Sequence, residues 1–310
     1  MAARTPTEVA LIRANINYRK RLDLAFGLLG VLALALAMMT MATLFVDMLI
    51  DGWNRLNPEF FINFPSRHPA RAGILSAWVG SLLVMLTTAA VAVPLGVAAG
   101  IWLEEYAPRH WITDVIEINI NNLAGVPSII YGLLALGMFV YTFNLGQSVR
   151  TAGMTLALLI LPMVIVATRE AIRSIPQIIR EGAYALGATR WQTVKHHILP
   201  YSMPGILTGI IIGMARAIGE TAPIITIGAL TFIAFLPPPP VTDVAPYLNF
   251  DWLEAPFTVM PIQIFNWTSR PEAAFQHNAA AAGAVLVTMT LIMNGLAIWL
   301  RYRLRKNLKW

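Results

Sequence analysis

The chain of 310 residues contains no cysteine and few charged residues. The absence of cysteine excludes disulfides, thiolate metal sites and cysteine nucleophiles. Only 12% of the residues are charged, whereas 57% are hydrophobic. Because this composition is too apolar for a water-soluble domain of this length, it predicts an all-α protein that crosses a membrane several times.

Two kinds of functional site are missing as well. The five histidines form no metal-binding pattern, because His196 and His197 are neighbours on one predicted helix and the others lie in separate segments. The chain also lacks the Gly-x-x-x-x-Gly-Lys-Ser/Thr loop that binds nucleotide phosphates. We therefore expect no catalytic residue, no metal and no cofactor on this chain, and any energy from ATP must come through another subunit.

Six apolar segments are long enough to span the roughly 30 Å of a bilayer core. They cover residues 24–46, 74–103, 115–143, 153–172, 203–235 and 277–300. Lysine and arginine concentrate before the first segment, after the last and in the 169–200 connection, and Arg109 lies in the 104–113 turn. Since cytoplasmic loops carry the excess of positive charge, we expect both termini, the 104–113 turn and the 169–200 connection to be cytoplasmic.

These assignments divide the chain into four parts. Residues 1–23 form a basic cytoplasmic tail, in which Thr5-Pro6-Thr7-Glu8 predicts the start of an amphipathic helix on the inner leaflet. Residues 24–73 contain the first transmembrane helix, interpreted as an uncleaved signal anchor, and an extracytoplasmic loop. Residues 74–303 form a core of five transmembrane helices, and residues 304–310 are a basic C-terminal tail.

The long extracytoplasmic stretch at 236–276 is rich in proline and aromatic residues. It opens with four prolines at 237–240, which predict a stiff polyproline II segment. Trp252, Phe257, Phe265 and Trp267 follow among further prolines. This pattern indicates an interfacial lid or re-entrant cap, and docking of a soluble partner is an equal alternative.

The cytoplasmic loop at 174–200 predicts two short helices joined by a glycine. Pro176 suits the first turn of a helix and Gly187 suits a helix stop, so the first helix covers 176–186. Thr189 can cap a second helix, which is expected to end before Pro200. Ile179, Ala183 and Leu186 would lie on one side of the first helix and form an apolar knob that fits a groove on another protein.

Two charges interrupt the fifth apolar segment. Arg216 and Glu220 lie four residues apart, and each charge costs roughly 2.5 to 3.5 kcal/mol at the bilayer centre. A basic residue N-terminal to the acidic one is the weaker order for helix stability, so mutual neutralisation explains the pair poorly. Pro223 removes a backbone donor and would break the helix beside Glu220. We interpret the pair as part of a substrate pathway.

Other polar residues occur in or beside the apolar segments. Ser128 and Thr221 are candidate hydroxyl donors to a substrate, although each could instead bond to its own helix. Asn119, Asn121 and Asn122 should face the bundle interior or a partner subunit. Glu117 lies nearer the inner surface, where solvation or a coupling contact is expected.

The 174–200 loop resembles the cytoplasmic EAA loop of bacterial ABC importer permeases. Glu181, Ala183, Gly187, Leu199 and Pro200 match its spacing, whereas Gly182 replaces an alanine and His197 an aliphatic residue. The resemblance implies a MetI-like permease bundle in which this loop is the coupling helix that sits in a cleft of an ATP-hydrolysing subunit. The implied coupling residues are Glu181, Gly182, Ala183, Leu186, Gly187, Leu199 and Pro200.

Three further stretches, at 125–132, 215–223 and 260–267, are similar to the PstA-type permease subunit of phosphate importers. This resemblance implies a bacterial inner-membrane protein that pairs with a PstC-type permease, two copies of an ATP-binding subunit holding ATP and Mg²⁺, and an extracytoplasmic phosphate-binding protein. Phosphate would pass Arg216, Glu220, Thr221 and Ser128. The alternatives are an ABC permease for molybdate, sulfate or phosphonate, a proton-coupled secondary transporter that uses Glu220, and a membrane scaffold without transport.

Overall fold

A computed structural model describes residues 6–241 and 247–306 of the chain. The described residues are mostly helical, and their only β pairing is an isolated bridge between Val241 and Leu248. The chain separates into two units, residues 1–51 and 52–310. The first unit is essentially one helix, α1 (Pro6–Gly52), which continues without a break through residue 23. No residue in the most apolar window of α1 is buried, as expected for a helix surrounded by lipid or by a partner.

The second unit contains the remaining helices. They are α2 (Pro58–Ile62), α3 (Leu75–Ile101), α4 (Trp111–Ala124), α5 (Ser128–Ala135), α6 (Val149–Arg173), α7 (Gln177–Ala185), α8 (Arg190–Thr193), α9 (Leu199–Gly219), α10 (Ala222–Thr226), α11 (Met260–Thr268) and α12 (Ala274–Lys306). Wider π-helical turns extend α3 to Tyr106 and α5 to Thr142, and another joins α8 to α9. Within residues 6–241 and 247–306, five helical stretches are long and apolar enough to cross a membrane, and α4 with the extended α5 makes a sixth if the bent pair is one span.

Two of the predicted spans are interrupted. The segment predicted at 115–143 bends by 105° between α4 and α5, at Gly125-Val126-Pro127. The segment predicted at 203–235 is helical only to Gly219 and again in the short α10, so its predicted end at 235 is wrong. Pro223 lacks a donor, and Gly228 adopts a φ of +90°, so the chain leaves the helical path there.

Helix α6 is the centre of the second unit, and glycines let its neighbours approach closely. On α9, a methyl group added to Gly205 or Gly209 would overlap the side chains of Ala171 or Ala167 of α6. Gly96 and Gly100 of α3 face α6 in the same way, against Val164 and Thr168. Helices in lipid gain little from hydrophobic burial against each other, so this close backbone contact supplies the packing.

Three of the four aromatic residues singled out in the 236–276 stretch pack into the core. Trp252, Phe257 and Trp267 are buried, whereas Phe265 is half exposed and Tyr247 and Phe250 of the same stretch are exposed. The Trp267 ring lies 6.0 Å from Phe60 and 6.5 Å from Phe275, centroid to centroid. The aromatic side chains therefore hold α11 on the helix bundle.

Candidate functional site

The predicted charged pair lies where α9 ends. Arg216 is in the last turn of α9, and Glu220 is the residue that caps it, with extended backbone angles of −79° and 114°. Nε of Arg216 donates to Oε1 of Glu220 over 3.2 Å. The side chains are 37% and 20% exposed, so the guanidinium keeps donors available for another partner.

The backbone is irregular on the C-terminal side of this charged pair. The Glu220 amide bonds to the Ala217 carbonyl, and α10 starts only after Thr221. Pro223 in the first turn of α10 cannot donate the hydrogen bond that would continue α9. Broken helices at membrane depth are tolerated where they line a cavity or are buried in protein, which fits a pathway at this position.

Helix α5, which follows the first break, packs against α10, which follows the break after α9. A methyl group on Gly132 of α5 would overlap Pro223 and Thr226 of α10. On the preceding residue of α5, the Tyr131 hydroxyl donates to the Leu123 carbonyl at the end of α4, over 2.8 Å. The two interrupted helices thus meet beside the charged pair.

The other predicted pathway residues are only partly brought to this site. Glu220 lines a cavity of about 10 Å³ together with Ser81. Thr221 lines a separate, apolar groove of about 510 Å³, next to Ala222 and Ile225. Ser128 is the first residue of α5 and is half-buried. Neither the Thr221 nor the Ser128 hydroxyl has a hydrogen-bond partner within residues 6–241 and 247–306, so the alternative of bonding to their own helices is not realised.

The asparagines of α4 lie on its outer surface. Asn119 donates to the Val115 carbonyl of its own helix over 2.7 Å. Asn121 and Asn122 are exposed. The prediction that they face the interior of this bundle is therefore wrong, and contact with a partner subunit stays a prediction.

The coupling loop has the predicted angular shape. Helix α7 covers Gln177–Ala185, and Gly187 turns the chain with a φ of +83°. Thr189 caps α8 and forms a capping box with Gln192. The prediction that the second helix ends before Pro200 is wrong, because a π-helical turn at Val194–Ile198 joins α8 to α9 and Pro200 lies in the first turn of α9.

Of the three residues predicted for the apolar knob of the coupling loop, only Leu186 is fully exposed. Ile179 packs against a cluster of Ile172, Ile175 and Ile198, and Ala183 is buried. Leu186 is 91% exposed as predicted. Ile178 and Trp191 are also strongly exposed, at 74% and 60%, and Tyr184 is exposed to a lesser degree. Helix α7 has apolar residues on two sides, one with Ile179 and one with Ile178. Their spacing alone does not show which side the end of α6 covers.

The remaining predicted coupling residues lie around this elbow. Glu181, Gly182 and Gly187 are exposed, whereas Leu199 and Pro200 are half-buried at the start of α9. Their contact with an ATPase stays a prediction.

Several ion pairs near the coupling loop were not predicted from the sequence. Arg169 pairs with Glu117 and Glu104, Arg173 with Glu104, and Arg180 with Glu105. The partners are 52 to 75 residues apart, so no local spacing rule finds them. The sequence feature that indicates such ion pairs is the pair of acidic residues at 104–105, directly after an apolar span.

Comparison with known proteins identifies relatives of this chain. The family model described as binding-protein-dependent transport system inner membrane component matches residues 92–241. The probable ABC transporter permease protein YqgI of Bacillus subtilis is 32% identical over 290 residues, which cover 92% of this chain and 96% of the relative. The phosphate transport system permease protein PstA of Yersinia pestis is 34% identical over 238 residues, which cover 75% of this chain and 74% of the relative.

Solved structures show the same fold. A chain of a bacterial alginate ABC transporter, solved in complex with an alginate pentasaccharide-bound periplasmic protein, superposes with a TM-score of 0.61 at 14% identity. The match covers 91% of this chain and 94% of that chain. The fold is therefore that of an ABC importer permease.

Proposed function

Because the chain belongs to the family of binding-protein-dependent ABC transport permeases that includes the PstA proteins, we propose that it imports inorganic phosphate as the permease subunit of an ATP-driven transporter. It is a multi-pass membrane protein and not an enzyme, since its relatives are permease subunits. The observation that carries the choice of phosphate is the charged pair at the helix break, in a chain similar to phosphate permeases.

The chemistry of the charged pair suits phosphate. Arginine carries a permanent charge and a planar set of donors that matches an oxyanion. Glu220 competes for the same guanidinium, so the anion is not held too tightly. Its carboxylate can also accept a hydrogen bond from protonated phosphate, which sulfate cannot donate. Thr221 and Ser128, whose hydroxyls are unpaired, are proposed as further donors along the pathway.

Energy would reach the pathway through the coupling loop. Two copies of an ATP-binding subunit would hold ATP and Mg²⁺, and a groove on that subunit would receive Ile178, Leu186 and Trp191. A PstC-type permease would complete the pore, and an extracytoplasmic phosphate-binding protein would deliver the anion. In this arrangement both termini and the 174–200 loop are cytoplasmic in a bacterial inner membrane. Closure of the ATPase pair would move the elbow and open the pathway outward.

The test is phosphate uptake by the complete transporter in proteoliposomes. We expect Arg216→Gln and Glu220→Gln to lower uptake by about tenfold to a hundredfold, because a charge-assisted hydrogen bond in the pathway is lost, while the complex still assembles. The matched control is Arg150→Gln, which removes an arginine of similar exposure that pairs with Glu254 over 3.4 Å. We expect the control to retain uptake.

Two results would contradict the proposal. Sulfate that inhibits uptake as well as unlabelled phosphate does would exclude selectivity for phosphate. Uptake by this chain alone, driven by a proton gradient without ATP, would identify a secondary transporter.

A further inference from the structure

Arg180 fastens the coupling helix α7 to two other helices. Its Nε and Nη2 atoms donate to Oε1 of Glu105, over 2.9 and 2.8 Å. Nη1 and Nη2 also donate to the carbonyls of Ile175 and Ile172, over 2.9 and 3.0 Å. Glu105 lies in the π-helical turn that ends α3, and the two carbonyls lie at and just beyond the end of α6. The side chains of Arg180 and Glu105 are only 18% and 7% exposed, so this link is largely shielded from water.

Arg169 continues the connection from α3 and α6 to α4. This α6 residue is buried, at 5% exposure, and its Nη2 donates to Oε1 of Glu117 on α4. Its Nε lies 3.7 Å from Oε2 of Glu104, the residue before Glu105. Glu104 is shared with Arg173, whose Nη2 lies 3.1 Å from the same oxygen.

These six residues, Glu104, Glu105, Glu117, Arg169, Arg173 and Arg180, are here named the arginine relay. Buried ion pairs are a poor source of stability, because desolvation offsets most of their attraction and apolar residues would pack as well. They are, however, directional, since a bidentate guanidinium fixes the orientation of its partners. The geometry therefore suits transmission of movement better than simple stabilisation.

The relay ends on the helix that bends beside the charged pair. Glu117 lies in α4, and the far end of α4 is tied to α5 by the Tyr131 hydroxyl. Helix α5 in turn packs against α10, directly after Glu220. The other arm of the coupling loop runs through α8 into α9 and reaches Arg216 from the opposite direction. The loop thus connects to both interrupted helices.

We propose that the arginine relay transmits the movement of α7 to α4, so that Arg180, Glu105 and Arg169 are positioning residues for the pathway. This inference rests on the proposed function, because it requires an ATPase that acts on α7. Coupling carried by the relay is distinct from anion contact, which belongs to Arg216 and Glu220.

The first experiment is a double-mutant cycle in the complete transporter in proteoliposomes. Arg180→Ala and Glu105→Ala should each lower the phosphate moved per ATP hydrolysed by about fivefold or more. The double variant should lose no more than the worse single variant, because both changes cut the same link. Arg150→Ala and Glu254→Ala form the matched control cycle on an ion pair outside the relay and should leave the ratio unchanged.

Conservative variants separate coupling from folding. Arg180→Lys keeps the charge but cannot bridge Glu105 and both carbonyls, and Glu105→Gln keeps the size. Both variants should assemble with the ATPase and still lower the amount of phosphate moved per ATP hydrolysed. A ratio equal to the unmodified transporter in these assembled variants would overturn the proposal.

A second readout does not depend on the transported anion. Because the chain has no cysteine, Asp114→Cys on α4 and Tyr302→Cys on α12 can carry spin labels without background from this subunit, which is labelled before the complex is assembled. ATP should change the distance between the labels in the otherwise unmodified transporter but not in Arg180→Lys. A distance change that persists in Arg180→Lys would refute the relay. If ATP changes the distance but no phosphate is taken up, only the proposed substrate fails.

Discussion

At the scale of single residues, Gly132 sets how closely the two interrupted helices approach. A methyl group at this position would overlap the Pro223 backbone and the Thr226 hydroxyl. We expect Gly132→Ala to separate α5 from α10, at a cost of about 1–3 kcal/mol, and to impair uptake because the charged pair is displaced. Thermal unfolding in detergent measures the first effect, and proteoliposome uptake the second.

Gly137→Ala is the matched control for Gly132→Ala. Gly137 lies in the helical extension of the same element, and nothing is within 4 Å of an added methyl group. We expect its melting temperature and uptake to stay close to those of the unmodified protein. Equal loss in both variants would contradict a specific contact between α5 and α10.

Some residue roles could be predicted from the sequence and others could not. Arg216 and Glu220 stood out because charges inside an apolar run are costly, and their pairing follows from a spacing of four. The inward position of Ile179 and the partner of Arg169 depend on which segments meet in space. A hydrophobic periodicity gives the direction of a side chain on its own helix but not the surface that it faces.

At the scale of elements, the elbow of the coupling loop depends on a backbone angle that glycine adopts without strain. Gly187 has a φ of +83°, so Gly187→Ala should cost about 1–3 kcal/mol locally and lower the uptake per ATP hydrolysed. The comparison of ATPase rate with phosphate uptake in the complete transporter measures this effect. We expect Gly187→Ala to lower phosphate uptake by a larger factor than it lowers the ATPase rate.

Gly182→Ala tests the same helix without the strain. Gly182 lies inside α7, is exposed and has open space at its Cβ. Alanine there should favour the helix by about 0.5–1 kcal/mol and leave coupling intact. Uncoupling in Gly182→Ala with normal coupling in Gly187→Ala would show that the elbow angle is unimportant.

The helices themselves were largely predictable, whereas their interruptions were predictable only in position. Hydropathy and length marked each apolar segment because the bilayer thickness fixes the required number of residues. Pro127 and Pro223 marked the places where helices could break. The 105° size of the first bend was not predictable, since the local sequence marks where a helix can break but not the angle at which the two parts pack.

At the scale of the whole molecule, the second unit has a core of its own. The described core clusters are built from residues 56 and beyond, and the apolar stretch of α1 is exposed in the isolated chain. We expect replacement of apolar residues at 28–46 by leucine to change the unfolding free energy of the second unit by no more than about 0.5 kcal/mol. Thermal unfolding of the purified chain in detergent measures this. A large drop in melting temperature would show that α1 contributes specific packing.

The continuous helical stretch Arg190–Gly219 also has a mechanical consequence. It contains 30 residues and leads from the elbow to the charged pair, so it is a rod of about 45 Å. A tilt of about 5° at one end of such a rod displaces the other end by about 4 Å, which follows from that length. Arg216 and Glu220 both lie at the far end of this rod, so they would move together, relative to helices that do not follow the tilt. The helix can therefore act as a lever arm, which turns a small rotation at the elbow into a displacement of the whole charged pair.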